Sequence, residues 1–434
     1  MSTTVNDLSA QLERRFIAAR ERTRQIFDLL APEAYEARPI SLRHPFVFYD
    51  GHLDAFLYNT ALRDLGVPSA DPSLDALFAR GIDPEDEAAA ASKHIAAWPS
   101  RREVRAYKAE VALKLYRALR DPDALARAGE LFWMCLEHEL MHQETLMYLI
   151  HQLPQHLKRP PATMAPLDVH PAPAPRQVPV PAGRALLGAR DGEFPFSWDN
   201  ERPAHEVEVS AFGIDAYNVT NGQFLAFVAD GGYRHRSFWT DEAWAWKEAQ
   251  GVEHPAFWRR DGQAWAWRGL FEDHALPESW PVVVTHAEAS AYARYVGGAL
   301  PTEPEWHRAA LGEHQDWAYP WGNEAPGPEQ ANLGFRHWSP TPVGAHPAGA
   351  GPLGVHDMVG NGWEWTATPF APFEGFSAHP NYPGYSADFF DGKHWVMKGA
   401  SWVTDPLLAR RSFRNWFYGH YPYMYATFRC VQRH

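Results

Sequence analysis

The chain has 434 residues, with 53 Asp and Glu against 40 Lys and Arg, for a formal charge of -13. That length holds two or three domains with substantial cores, and an acidic balance without any basic block argues against nucleic acid or an anionic membrane as partner. Two cysteines, Cys135 and Cys430, are too few for a disulfide scaffold. No apolar run reaches the roughly 20 residues of a membrane span, and the mixed charges of the first thirty residues suit a solvated helix, so a cytoplasmic protein is expected.

Residues 5–30 contain neither Gly nor Pro and read as a long helix. A second is expected over 48–65, a third over Arg101–Leu119 and a fourth over 124–152, the last tolerating Gly129 in its second turn. Four such helices pack most simply as a bundle, residues 1–156, whose interior can carry ligands from facing helices. Residues 157–177 are too rich in proline for a helix or a central strand and read as an extended linker. From 178 to 434 Gly, Pro and aromatics dominate, with short alternating segments at 206–210 and 395–398. One helix is expected over 285–296. Another starts after Thr302, where Thr302-Glu303-Pro304-Glu305 supplies a cap, a first-turn proline and acidic residues. The rest is mixed α+β with much irregular structure. The nineteen tryptophans are expected to fill a loop-rich core, and they are also chemically suited to wall a pocket for an organic cation.

The densest chemistry lies in Glu137-His138-Glu139-Leu140-Met141-His142-Gln143-Glu144. His138 and His142, four apart on a helix, share one face about one turn apart, so both imidazoles can address one metal ion. A third ligand is needed, and His52, among aromatic residues near the start of another helix, is the best candidate. His44 and His151 are rivals, although His151 lies on the opposite face of the same helix. Three imidazoles suit Fe(II), Zn(II) and related ions, and softness alone does not choose. His138-Glu139-Leu140-Met141-His142 also matches the zinc-hydrolase pattern, with Glu139 as general base. A third reading is a ligand-binding module whose bundle only supports the second domain.

Several motifs beyond residue 178 carry a resemblance. They are Asp199-Asn200-Glu201-Arg202-Pro203, Gly297-Gly298-Ala299-Leu300-Pro301-Thr302-Glu303-Pro304-Glu305-Trp306, Asp357-Met358-Val359-Gly360-Asn361-Gly362-Trp363-Glu364-Trp365-Thr366, and the closing Phe428-Arg429-Cys430. Together they resemble the formylglycine-generating-enzyme-like domain family, which implies a mixed α+β, C-type-lectin-like fold. True formylglycine generators hold copper with paired cysteines. This half has only Cys430, so that activity is not expected and Cys430 reads as a buried core thiol. The N-terminal part resembles a DinB-like four-helix bundle, whose His-x3-His-x-Glu motif is matched by His138, His142 and Glu144. The two halves together are similar to the sulfoxide synthases of ergothioneine and ovothiol biosynthesis and to the related selenoneine synthase. The resemblance implies a non-haem Fe(II) enzyme that uses O2 to join a thiol or a selenium donor to the imidazole of a histidine derivative such as hercynine.

The same resemblance implies site residues. His52, His138 and His142 match the family's iron triad. In Tyr382-Pro383-Gly384-Tyr385-Ser386, Tyr382 falls where a catalytic tyrosine supplies a proton or hydrogen atom, and Tyr385 where substrate is positioned. Asn415 falls where the histidine derivative is hydrogen-bonded, and Trp416 beside it suits a trimethylammonium group. Two departures bear on the donor. Phe417 stands where members using gamma-glutamylcysteine can carry an acidic residue, and Met141 stands where some carry a glutamine. Both remove polar anchors and favour cysteine or a selenosugar. Arg80 is a further candidate for a carboxylate or sugar contact.

Overall fold

The computed structural model describes residues 5–79 and 97–433, and the chain divides into two compact units, residues 1–162 and 163–434. The first unit is helical and the second mixes short helices with small sheets. No described helix is long and apolar enough to cross a membrane.

In the first unit, helix α1 (Val5–Asp28) buries Leu12, Phe16, Ala19, Thr23, Ile26 and Phe27. This spacing of three and four makes one apolar stripe. Helix α2 (Phe46–Leu57) starts two residues earlier than expected and runs on into a wider π turn, Tyr58–Leu62. A short helix that the periodicity did not reveal, α3 (Pro72–Leu77), begins at Asp71, whose carboxylate accepts from the Ser73 and Leu74 amides. Helix α4 (Arg101–Leu119) has the expected bounds because Ser100 and Glu103 close a reciprocal cap. Helix α5 (Pro122–Gln152) starts at the Asp121 cap with proline at its first position and passes through Gly129 without interruption. It packs along α1 and α2. All twelve residues of α2 are buried, the sign of a helix at the centre of its bundle.

The described residues of the second unit form four small sheets. Strand β1 (Gln177–Val180) and, later in the chain, β12 (Val431–Arg433) flank β4 (Phe212–Asp215), both antiparallel to it. Strands β2 (Gly183–Leu187) and β3 (His205–Val209) pair alone, as do β5 (Trp258–Asp261), β6 (Ala264–Arg268) and β7 (Asp273–Ala275). The largest sheet has the order β10 (Asn415–Tyr418), β9 (His394–Lys398), β8 (Trp363–Pro369) and β11 (Ala426–Thr427). Four helices join them: α6 (Asn221–Ala229), α7 (Asp241–Gln250), α8 (His286–Tyr295) and α9 (Glu303–Leu311). The last two are those expected, capped by Thr285 and Thr302 in reciprocal boxes.

Tryptophan fills this loop-rich interior as anticipated. Trp198, Trp258, Trp280, Trp306, Trp363, Trp365 and Trp402 are fully buried. Most place the indole N–H on a partner, such as Trp365 on the Val284 carbonyl at 2.9 Å. The motif carboxylates are structural. Glu364 accepts from Asn218, Trp306 and two Arg429 nitrogens, Nε and Nη2, at 2.6–3.0 Å. Glu201 holds Arg410 and Ser412, and Glu303 holds Arg414. Cys430 is a buried free thiol.

Candidate metal centre

Helix α2 brings His52 to the bundle centre, and a polar group there must find a partner. His52 Nδ1 lies 2.9 Å from the Phe78 carbonyl. A carbonyl only accepts, so Nδ1 carries the proton and Nε2 keeps its lone pair. On α5, His138 and His142 stand one turn apart with their Nε2 atoms 3.1 Å from each other. The His52 ring centroid lies 5.1 Å from each of theirs, and the three potential ligand nitrogens all fall within 4.8 Å of one another. Metal–imidazole bonds of about 2.1 Å place two adjacent ligands about 3 Å apart, so the His138–His142 spacing suits a shared ion. Among the described residues, no other group of histidines, cysteines and carboxylates converges in this way.

The surroundings keep the imidazoles neutral. Burial pushes His52 down to about 4, against the opposing pull of the Phe78 carbonyl. Burial first, then neighbouring imidazoles, holds His138 and His142 well below the usual histidine range. Neutral imidazole is the form that binds metal. Aromatic faces cover two of the three imidazoles: Phe56 stacks on His138 at 3.6 Å and 9°, and Phe48 on His52 at 4.9 Å and 19°, while His142 is half-buried.

Behind the triad, helix α1 ties the two ligand-bearing helices together. Arg20 reaches Asp54 of α2 at 2.5 Å and Glu139 of α5 at 2.9 Å. Thr23 donates to Glu139 at 2.7 Å and accepts from Gln143 at 3.1 Å, while Gln143 also donates to the Ala19 carbonyl at 3.0 Å. Glu139 and Gln143 each follow a triad histidine in sequence. A hydrolytic base needs a carboxylate that faces the metal, and Glu139 is instead held by Arg20 and Thr23. The general-base reading of Glu139 fails on this geometry. The clamp was missed in the sequence, where its one signal was an arginine set between Ala19 and Thr23 on the buried stripe of α1.

The rival ligands lie elsewhere. His44 stacks on Phe48 at 4.0 Å and His151 is buried further along α5, with its carbonyl accepting from Lys158; neither joins the converging group. Met141 is half-buried on α5 between the two ligands. Arg80 lies outside the described residues.

The second unit gathers most of its candidates in one aromatic cluster. Tyr385 stacks on Trp198 at 3.9 Å and meets Trp416 edge-on at 5.2 Å. Tyr382 is half-buried beside them, its ring 5.5 Å from Tyr385 and 6.5 Å from Trp198. Trp416 lies flat on Phe370 at 4.3 Å. Ser386 donates to Asp199 and accepts from Asn200 at 2.9 Å, which ties the tyrosine-bearing loop to the turn that follows Trp198. Trp198 was not among the sequence candidates, because its partners lie almost two hundred residues away. Strand alternation separates Phe417 from Trp416: Phe417 stacks on Tyr421 at 5.0 Å. Asn415 is half-buried, with its side-chain oxygen accepting from the Trp416 amide at 2.9 Å.

Comparison with known proteins agrees with this two-part architecture. Residues 164–434 match the sulfatase-modifying factor enzyme 1-like domain, and residues 15–146 match the DinB superfamily. The chain is 36% identical over 424 residues to a hercynine oxygenase of Mycolicibacterium thermoresistibile, covering 94% of this chain and 91% of that one. It is 37% identical over 323 residues to the hercynine oxygenase of Mycobacterium tuberculosis, covering 71% and 73%. It is 27% identical over 494 aligned positions to ergothioneine biosynthesis protein 1 of Neurospora crassa, covering 93% of this chain and 55% of that one.

Proposed function

This chain belongs to the family that joins a DinB-type bundle to a sulfatase-modifying-factor-like domain and includes the hercynine oxygenases; from that premise we propose that it is a non-haem Fe(II)- and O2-dependent synthase. It forms a C–S or C–Se bond between a thiol or selenium donor and the imidazole of hercynine, in ergothioneine or selenoneine biosynthesis. The observation that carries the reading is the convergence of three neutral imidazoles within 4.8 Å.

His52, His138 and His142 hold the ion. Fe(II) held there would supply one-electron chemistry with O2 toward the donor. The protein does the rest. The stacked faces of Phe48 and Phe56 shield His52 and His138 from bulk water and strengthen local electrostatics. The Arg20 and Thr23 clamp holds the ligand-bearing helices at one separation, so little reorganisation is needed when the ion and its ligands arrive. Tyr382 supplies a proton or hydrogen atom, and Tyr385, Trp416 and Asn415 receive the histidine derivative. Aromatic faces suit a trimethylammonium group, which has no N–H to donate.

Phe417 and Met141 offer the donor no charge, which favours cysteine or a selenosugar over gamma-glutamylcysteine. Zinc hydrolysis is disfavoured because Glu139 is engaged by Arg20 and Thr23. Metal analysis after anaerobic purification tests the reading. Stoichiometric iron that disappears in His138→Ala supports it, and full iron occupancy in that variant refutes it.

A further inference from the structure

The carbonyl that meets His52 comes from a residue 26 positions along the chain, and a separate arrangement of side chains delivers it. Phe78 is fully buried, and its oxygen stands 2.9 Å from His52 Nδ1. Its amide donates to the Leu74 carbonyl at 3.0 Å, at the end of α3. That helix is pinned through Asp75, whose carboxylate accepts from Tyr107 of α4 at 2.6 Å and from Ser69. The Asp75 carbonyl accepts from Asn59 in the π turn at 3.1 Å. The Phe78 ring is held between Trp98, stacked at 6.2 Å, and Phe48 at 6.4 Å.

Gly51, immediately before His52, is what lets Phe78 come this close. A Cβ there would lie 2.3 Å from two Phe78 ring carbons, closer than unbonded atoms approach. Glycine weakens a helix interior relative to alanine, and Gly51 sits mid-helix in α2. Its role is room.

We propose that Gly51 and the α3–Phe78 segment form a positioning device: Gly51 admits the Phe78 ring, Asp75 anchors the helix before it, and the Phe78 carbonyl then fixes the tautomer and ring orientation of His52. The partner of a ligand imidazole's second nitrogen sets which nitrogen binds metal and how basic it is. This rests on the triad being a metal site. It goes further by assigning a metal-binding role to residues that touch no metal.

The test titrates Co(II) into the metal-free full-length chain under anaerobic conditions and follows its visible d–d bands. Gly51→Ala is expected to weaken Co(II) binding about 10–100-fold and to shift the bands. Gly51→Ala combined with Phe78→Ala removes the clash but keeps the residue 78 carbonyl, and most of the affinity should return. Wild-type affinity in Gly51→Ala overturns the proposal, as does a folded double variant without recovery. If Gly51→Ala does not fold, Tyr107→Phe removes one anchor of Asp75 and should still weaken Co(II) binding by several-fold. Unchanged affinity there also overturns the proposal. Failure of the wild-type chain to take up Co(II) is a distinct result, and it defeats the metal reading itself.

Discussion

Glu139 follows His138 in the chain, yet its carboxylate turns to Arg20, with Oε2 2.9 Å from the guanidinium Nε. Arg20 also holds Asp54, so one cation serves two buried acids on two helices. Replacing Arg20 by Leu strands both carboxylates and should cost about 3–5 kcal/mol. Glu139→Gln keeps the shape and the Thr23 contact and should cost about 1–3 kcal/mol. Denaturant unfolding measures both. Glu139→Gln should keep its metal and its turnover with hercynine, whereas a hydrolytic base at this position would make the variant inactive.

Acid should destabilise the metal-free protein. A histidine in an unfolded chain titrates near 6.5, whereas folded His52 holds off its proton until about 4. Between those values the unfolded chain binds more protons, so falling pH favours unfolding. The contribution is fully present above about 6.5 and is lost as pH falls toward 4, by up to about 3 kcal/mol. The melting temperature of metal-free protein should drop across that window, and His52→Phe should make the curve shallower while His138 and His142 keep part of the slope. An equal slope in both would assign the acid sensitivity to other groups.

Much of this was legible in the sequence. The 3.6-residue period and the cap at Thr302 set helix boundaries to within a few residues, and the spacing of His138 and His142 identified two ligand candidates on one face. His52 was nameable among aromatics, but its convergence with the pair depends on how α2 packs on α5. Arg20 and Thr23 reach Glu139 from more than a hundred positions away, and no local pattern announces it. Helix α3 was missed because it has only six residues, and α6 because it opens on Asn221-Gly222, where propensity argues against a helix; α7 was missed although Thr240 caps it and Gly251 ends it.

The motif acids of the second unit should act as scaffold. Glu364 and Arg429 are both fully buried and 2.6 Å apart. Arg429→Met leaves Glu364 charged without its cation and should cost about 3–5 kcal/mol. Calorimetry of the variant measures this, and a loss below about 1 kcal/mol would show that Asn218 and Trp306 suffice for Glu364.

Tyr382 is half-buried at the edge of its cluster, so removing its hydroxyl should leave the fold intact. Tyr382→Phe should lower turnover by about 10²-fold or more, with iron content and melting temperature unchanged. Steady-state oxygen consumption beside metal analysis checks this. A parallel loss of iron would assign Tyr382 to metal retention instead.

The most direct test of the account is the reaction itself. Iron-loaded protein is incubated with hercynine and O2 and, in separate reactions, with cysteine, gamma-glutamylcysteine and a selenosugar, while oxygen uptake and product mass are followed. The account predicts oxygen consumption and a product bearing a new C–S or C–Se bond on the imidazole with cysteine or the selenosugar, and little with gamma-glutamylcysteine. No oxygen uptake and no coupled product with any of the three donors would contradict it.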